Sequence, residues 1–266
     1  MTTTARLTRA IEGEILPRLI ASHFSERPRC AALAPTVLAP NARDVAQFAK
    51  ILLADDAPAA RRFVDGLLAH RVPLESIFLD LMTPTARRLG DLWSHDLCHF
   101  ADVTVALGRL QQLLRDLSQT CICSPPCRQL GRRALIVSVP SEQHTFGPLM
   151  VAEFLRRAGW DVAGEPGLSR RDILSCVRSE WFALIGLSLS CERHLGALAP
   201  LIESIRRASR NNHIVILVGG HVFREHPDWV VRVGADTSAT DAREVVACAE
   251  SAMNGNALLA TVRSGA

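Results

Sequence analysis

The stretch Val137-Ser138-Val139-Pro140-Ser141-Glu142-Gln143-His144-Thr145-Phe146-Gly147 decides how the chain is read. Ala134 to Val139 is a short apolar run, rich in branched side chains, of the kind that forms a buried strand. Leu149 to Ala158 then spaces its apolar residues as an amphipathic helix does, so the polar residues between form a strand-to-helix loop. In open α/β sheets such loops line the crevice outside the carboxyl ends of the strands, where ligands bind. Gly147 removes a side chain where the helix opens, so a large group can lie close to the backbone. His144 is the reactive group of the loop. Glu142, two residues earlier, can orient the imidazole, fix its tautomer and leave the other ring nitrogen free to ligate a metal. An ordinary surface histidine has the same local signature, and the motif alone leaves both readings open.

Working outward, Leu184-Ile185-Gly186-Leu187-Ser188-Leu189-Ser190 is another apolar strand, ending in small hydroxyl residues. Ile214 to Val218 is a further one, ending in Gly219-Gly220-His221, and Gly234-Ala235-Asp236 reads as a last strand end. Trp160-Asp161-Val162 is expected to enter a short strand, and Ser169 to cap the crossover helix after it. His194 to Ser209 and Thr240 to Asn254 supply two more helices. This alternation predicts an α/β fold with a parallel, helix-covered sheet and right-handed crossovers. No Gly-x-Gly-x-x-Gly and no Gly-x-x-x-x-Gly-Lys stands at a strand end, which weakens phosphate-loop readings.

Before the linker the periodicity is helical. Leu7, Ile11, Ile15 and Leu19 predict an amphipathic helix over Arg6 to Phe24, followed by a proline-bearing connector. Asn41 or Asp44 can cap a helix through Leu53, and Asp55 or Asp56 one through Leu68, with Pro58 in its first turn. A third helix is expected from Leu74 to Leu89, bent or divided by Pro84, and a fourth from Asp102 to Leu117. The connection Leu89 to Phe100 carries Trp93, which either covers a ligand or plugs the core. The expected organisation is an N-terminal helix and connector (1–40), a four-helix module (41–118), a linker (119–131) containing Pro125-Pro126, and the α/β domain (132–266).

At 266 residues, with 48% hydrophobic and 21% charged residues, the chain can bury two modest cores. A net charge of +3 with scattered arginines does not by itself indicate nucleic-acid binding, although it leaves a local patch open. No apolar run is long enough to span a membrane and the N-terminus lacks a secretion signal, so a cytoplasmic location is expected. Of the eight cysteines, Cys121, Cys123 and Cys127 are closely spaced, but no second pair or nearby histidine completes a zinc site, and reduced thiols are expected. No nucleophile-base pair or oxyanion donor set suggests turnover, so the chain is not read as an enzyme.

The order Glu142-x-His144-x-x-Gly147, Ser188-x-Ser190, Gly219-Gly220, Gly234-Ala235-Asp236 resembles the cobalamin-binding domain family, whose pattern is Asp-x-His-x-x-Gly, Ser-x-Leu or a close variant, and Gly-Gly. The resemblance implies a Rossmann-like (flavodoxin-like) parallel-sheet domain preceded by a four-helix module. It implies cobalamin as adenosylcobalamin or hydroxocobalamin, with His144 as lower cobalt ligand and Glu142 and Ser188 as its relay. The loop residues Ser141, Gln143, Thr145 and Gly147 would border the cofactor. Leu189, Ser190, Gly219, Gly220, His221 and Asp236 would lie along a slot for the nucleotide tail. A side chain at Gly220 would then enter the slot or strain the turn, weakening binding while leaving the fold largely intact. Glu142 departs from the family's aspartate by one methylene. In similar proteins the four-helix module caps the upper face of the corrin, which implies Trp93 over the ring. Light-sensing repressors with the same modules place Glu-His ten residues after this tryptophan. Val103 and Thr104 stand there, so the upper position falls to water or to His95 or His99 if any protein group takes it.

Leu92-Trp93, Phe100 and the run from Asp102 to Arg115 narrow the resemblance to the AerR/PpaA-type antirepressors of photosynthetic bacteria. That likeness implies a light-responsive regulator that binds a PpsR/CrtJ-type repressor of photosystem genes, with direct DNA contact left open and no membrane association. The alternatives are a corrinoid methyl carrier of a methyltransferase system, or a haem-binding redox sensor, since imidazole suits iron and cobalt alike.

Overall fold

The computed structural model describes residues 39–54, 56–120, 131–165 and 167–264. The expected N-terminal helix over Arg6 to Phe24, its connector, and the Cys121, Cys123 and Cys127 group lie outside the described residues. The chain divides at Leu38, and the following unit, Ala39–Ala266, holds both the helical module and the sheet.

Local chemistry sets the helix starts. Helix α1 (Ala42–Leu53) opens on a reciprocal cap: Asn41 Oδ1 accepts from the Arg43 and Asp44 amides at 2.8 and 3.3 Å, and Asp44 Oδ2 accepts from the Asn41 amide at 2.9 Å. Asp56 caps α2 (Ala57–Ala69) through the Ala59 amide at 2.7 Å, with Pro58 in the first turn. The disturbance expected of Pro84 falls just ahead of it as a widened turn, and the third helix runs past the expected end at Leu89. Helix α3 (Leu74–Ser76) runs into a π-helical stretch, Ile77–Met82, and then into α4 (Thr83–Ser94). Pro84 has no N–H and its ring crowds the carbonyl four residues back, and the turn ahead of it is widened. The Phe78 carbonyl there accepts both the Thr83 amide and, at 2.9 Å, the Thr83 hydroxyl. Because α4 continues past Gly90 to Ser94, Trp93 sits in the last helical turn and not on a connection. Helix α5 (Phe100–Thr120) completes the module. Its core holds Phe48, Leu52, Val64, Phe78, Leu81, Met82, Leu89, Leu110 and Leu117, and Phe48 stacks on Phe63 at 5.4 Å. Full burial of each such side chain stabilises by about 1.5–3 kcal/mol.

The sheet contains β1 (Arg133–Ser138), β2 (Asp161–Ala163), β3 (Leu184–Ser188), β4 (Val215–Gly219) and β5 (Thr237–Ala239), all parallel, in the order β2-β1-β3-β4-β5. One face is covered by α6 (Phe146–Arg157) and α11 (Ala242–Ser264) through Ile136, Leu155, Leu184, Val245 and Ala249. The other is covered by α7 (Arg170–Ser179), capped by Ser169 as expected, and α8 (Leu195–Ala208), through Leu135, Ile173, Val177, Leu198 and Ile205. Short helices α9 (His221–Glu225) and α10 (Trp229–Arg232) link β4 to β5.

Register aligns the carboxyl ends: Ser138 pairs with Ser188, Ser188 with Gly219, and Gly219 with Ala239. From β1 the chain leaves toward β2 on one side, while β3 lies on the other, so the strand order reverses at β1 and β3 and opens a crevice there. The helical module packs on the α6 side, where Met150 joins its core and Phe146, Leu149 and Phe154 pack against it. Arg157 lies over the Phe78 ring at 5.2 Å, and Arg243 reaches Asp80 at 3.0 Å and Glu75 at 3.4 Å. Among the described residues, no helix is long and apolar enough to cross a membrane.

Candidate functional site

The loop after β1 turns back at once. The Glu142 amide donates to the Val139 carbonyl at 2.9 Å, closing a turn with Pro140 and Ser141 at its corners. Ser141 has φ 72°, the left-handed value that the second corner of a type II turn requires and that a non-glycine residue adopts at a cost. The turn drives the Glu142 side chain inward, where 1% of it is exposed, and leaves the His144 side chain 67% exposed. Glu142 Oε1 accepts from His144 Nδ1 at 2.5 Å and from the Gln143 and His144 amides at 2.9 and 3.2 Å. Glu142 Oε2 accepts from the Ser190 and Cys191 amides, in the loop after β3, at 2.9 and 3.0 Å. Burial by itself would push the carboxyl up, but the His144 ring and the Ser190, His144 and Cys191 amides outweigh it and hold the group down to about 2. A carboxylate at Nδ1 favours a proton on that nitrogen, and Nε2 is the ring nitrogen that Glu142 does not engage.

The remaining loop residues frame this pair. The Ser138 hydroxyl donates to the His144 carbonyl at 3.4 Å. Gly147 falls in the first turn of α6, and a Cβ there would sit 3.8 Å from Ser188 Oγ. The Ser188 hydroxyl therefore faces the opening of α6, and the contacts from β3 to Glu142 come from the Ser190 and Cys191 backbone. Gln143 contributes its amide, and Thr145 Oγ1 accepts from Gln111 Nε2 of α5 at 2.9 Å.

Along the slot the structure separates residues the sequence had grouped. Ser190 and His221 stand at the carboxyl edge, where His221 Nδ1 meets Arg224 at 3.0 Å. Leu189 is fully buried among the α7 and α8 side of the core and donates its amide to the Gly219 carbonyl at 2.9 Å, so its part is to join the two strand ends. Gly220 has φ 110°, and a Cβ on it would lie 2.2 Å from the Leu189 carbonyl oxygen. A side chain at Gly220 would collide with backbone, which corrects the expectation of a fold-neutral substitution. Gly219 is less constrained, its Cβ meeting the Ala239 carbonyl at 3.3 Å. Asp236 needs a larger correction. Gly234-Ala235-Asp236 enters β5 and does not end it, so Asp236 lies at the amino edge of the sheet, opposite the crevice. There it accepts from the Ile216 amide at 2.7 Å and pairs with Arg206 at 2.8 Å, both structural contacts.

On the helical module, Trp93 is 49% exposed and meets Phe100 edge to face at 5.8 Å, which removes the core-plug reading. Phe100 and Leu97 are also exposed. At helical spacing Phe100, Thr104, Leu107 and Gln111 share one stripe of α5, and Gln111 touches the His144 loop. Val103 is buried and Thr104 is exposed, its hydroxyl donating to the Phe100 carbonyl at 2.8 Å. His95 Nδ1 lies 2.7 Å from the Asp91 carbonyl, and His99 is exposed at the start of α5. No cluster of three His, Cys, Asp or Glu side chains suited to a metal occurs among the described residues. Sequence reasoning missed Cys191, Gln111 and Phe100 as site residues. Only Phe100, an apolar ring next to a predicted helix start, carried a signal.

Residues 132–247 match the B12 binding domain family. The chain is also 29% identical over 184 residues to an uncharacterized 20.5 kDa protein in the bchF-crtJ intergenic region of Rhodobacter capsulatus, spanning 68% of this chain and 94% of that one. The monomethylamine corrinoid protein of Methanosarcina barkeri shares the fold, with a TM-score of 0.62 over 81% of this chain and 99% of that chain at 14% identity. The residues of the matched segment fit a corrinoid cofactor. An exposed imidazole with its Nδ1 held by a buried carboxylate offers cobalt one nitrogen donor, and Gly147 and Gly219 leave side-chain space at the mouth of the crevice.

Proposed function

We propose that the chain is a cobalamin-dependent, light-responsive transcriptional regulator that acts as an antirepressor, binding a PpsR/CrtJ-type repressor of photosystem genes in the cytoplasm without catalysing a reaction. The observation that carries the reading is the pairing of a His144 site with an open aromatic lid, Trp93 and Phe100, on a separate helical module. The location of the Rhodobacter capsulatus relative beside crtJ supports the choice of partner.

His144 would ligate cobalt from below through Nε2, and Trp93 with Phe100 would cover the upper face. An alkyl upper ligand supplies a cobalt–carbon bond that light can break. The chain's own part is to let the helical module pack differently with and without that ligand, because a ligand shifts only equilibria whose states it contacts differently. Coupling of this kind amounts to about 1–3 kcal/mol, or roughly 5- to 150-fold in partner affinity.

The test measures repressor binding by the protein loaded with adenosylcobalamin in the dark, after illumination, and without cofactor. Unequal affinities support the antirepressor. Equal affinities would sink it, and transfer of a methyl group from the loaded protein to a methyltransferase would identify a corrinoid carrier instead. A haem Soret band in the purified protein's visible spectrum would replace cobalamin by haem.

A further inference from the structure

We propose that Gln111, on the helical module, is a positioning residue for His144. Its Nε2 donates to Thr145 Oγ1 at 2.9 Å, and Thr145 is the neighbour of His144 and the N-cap residue of α6. Threonine hydroxyls at an N-cap ordinarily accept from amides of the first helical turn. Thr145 makes no such bond, and with φ −102° and ψ −13° its backbone is helical where an N-cap is usually extended. Helix α6 therefore begins without a side-chain cap while a residue suited to provide one is turned toward another module. That bond adds a directed polar tie to the apolar packing of Phe146 and Leu149 on the helical module.

Glu142 holds the His144 ring and Ser138 its carbonyl, but both belong to β1 and its loop, so they orient the imidazole relative to the sheet alone. Gln111 ties the same loop to α5. Phe100 lies on the same stripe of α5, eleven residues and about 16 Å away along the axis, and packs against Trp93. One helix thus carries part of the lid over the corrin and the group that touches the loop bearing the lower ligand. Gln111 sets the height of His144 against that lid. The inference rests on His144 being the lower ligand.

The experiment uses the whole chain, grown with histidine carrying the heavy nitrogen isotope, loaded with cobalamin and reduced to divalent cobalt. Electron paramagnetic resonance then distinguishes a histidine nitrogen on cobalt from the cofactor's own unlabelled base. Gln111→Ala, at a half-buried helical position where alanine is well tolerated, is compared with Thr145→Val and with Thr145→Ser, which keeps the hydroxyl. Wild type and Thr145→Ser should show the histidine pattern in full. Gln111→Ala and Thr145→Val should lose part of it and bind hydroxocobalamin about five- to tenfold more weakly, the effect of one neutral hydrogen bond. A full histidine pattern with unchanged affinity in both variants overturns the positioning role, as does a Thr145→Ser protein that behaves like Thr145→Val. If wild type itself shows no histidine nitrogen while His144→Ala binds as wild type does, the ligand assignment fails instead.

Discussion

Replacing Glu142 by glutamine should destabilise the protein before any cofactor is added. The carboxyl is held at about 2 against an ordinary value of 4.5. At 1.36 kcal/mol per unit that difference corresponds to about 3 kcal/mol of stability. The folded value is depressed, so this contribution is complete above about 4.5 and is lost as pH falls from there toward about 2. The contacts give a similar size. Five N–H donors converge on the two oxygens. A glutamine keeps one oxygen, and its amide group would face donors from His144 or from Ser190 and Cys191. Each buried donor left unpaired costs about 1–3 kcal/mol. Urea unfolding of the cofactor-free proteins should therefore show Glu142→Gln weaker than wild type by about 3 kcal/mol at neutral pH, with the gap narrowing on acidification. Coincident unfolding curves at neutral pH, or a gap that acid leaves unchanged, would refute the carboxylate's role as the tie between the two loops.

His144→Ala should lower folding stability by about 1–2 kcal/mol, less than Glu142→Gln, because it takes one of five donors from the buried carboxylate, and it should remove the histidine-ligated features from the visible spectrum of bound cobalamin. Gly220→Ala should lower the urea midpoint by the equivalent of more than about 1 kcal/mol, since the new Cβ meets the Leu189 carbonyl and the φ is unfavourable; an unchanged midpoint would return the residue to the nucleotide slot. Arg243→Ala removes exposed pairs to Asp80 and Glu75 and should cost only about 0.2–1 kcal/mol, a loss that disappears when unfolding is repeated in high salt.

What the sequence disclosed follows from how far each determinant reaches along the chain. The Asn41, Asp56 and Ser169 caps act within three residues, and the strands at Ala134, Leu184 and Ile214 announce themselves by unbroken apolar runs, so both were legible. Gly90-Asp91 resembled the start of a connection, but a Cβ at Gly90 would meet open space and nothing obliges the helix to stop there, so Trp93 stayed helical. Gly234-Ala235-Asp236 misled for a different reason. A glycine turn flanks a strand at either end, and only the pairing of Leu217 with Thr237 places it at the entrance to β5. The Gln111 to Thr145 bond joins residues 34 apart, and no local pattern marks it.

The substitution of glutamate for the family's aspartate at position 142 takes on meaning in this light. As a sequence feature it weakened the likeness, because a longer side chain spoils the reach of a carboxylate to a ring two residues away. In the structure the Ser141 turn draws the backbone inward, and the two oxygens divide their work: Oε1 takes the β1 loop and the imidazole, and Oε2 takes two amides of the β3 loop. An aspartate on the same backbone, shorter by a methylene, could satisfy one loop or the other. Glu142→Asp should therefore keep the bond to His144 and free the Ser190-Cys191 loop, raising amide hydrogen exchange there while leaving the histidine signature of bound cobalamin in place. If exchange in that loop is unchanged, the longer side chain has no part in joining β1 to β3, and the departure from the family pattern is neutral.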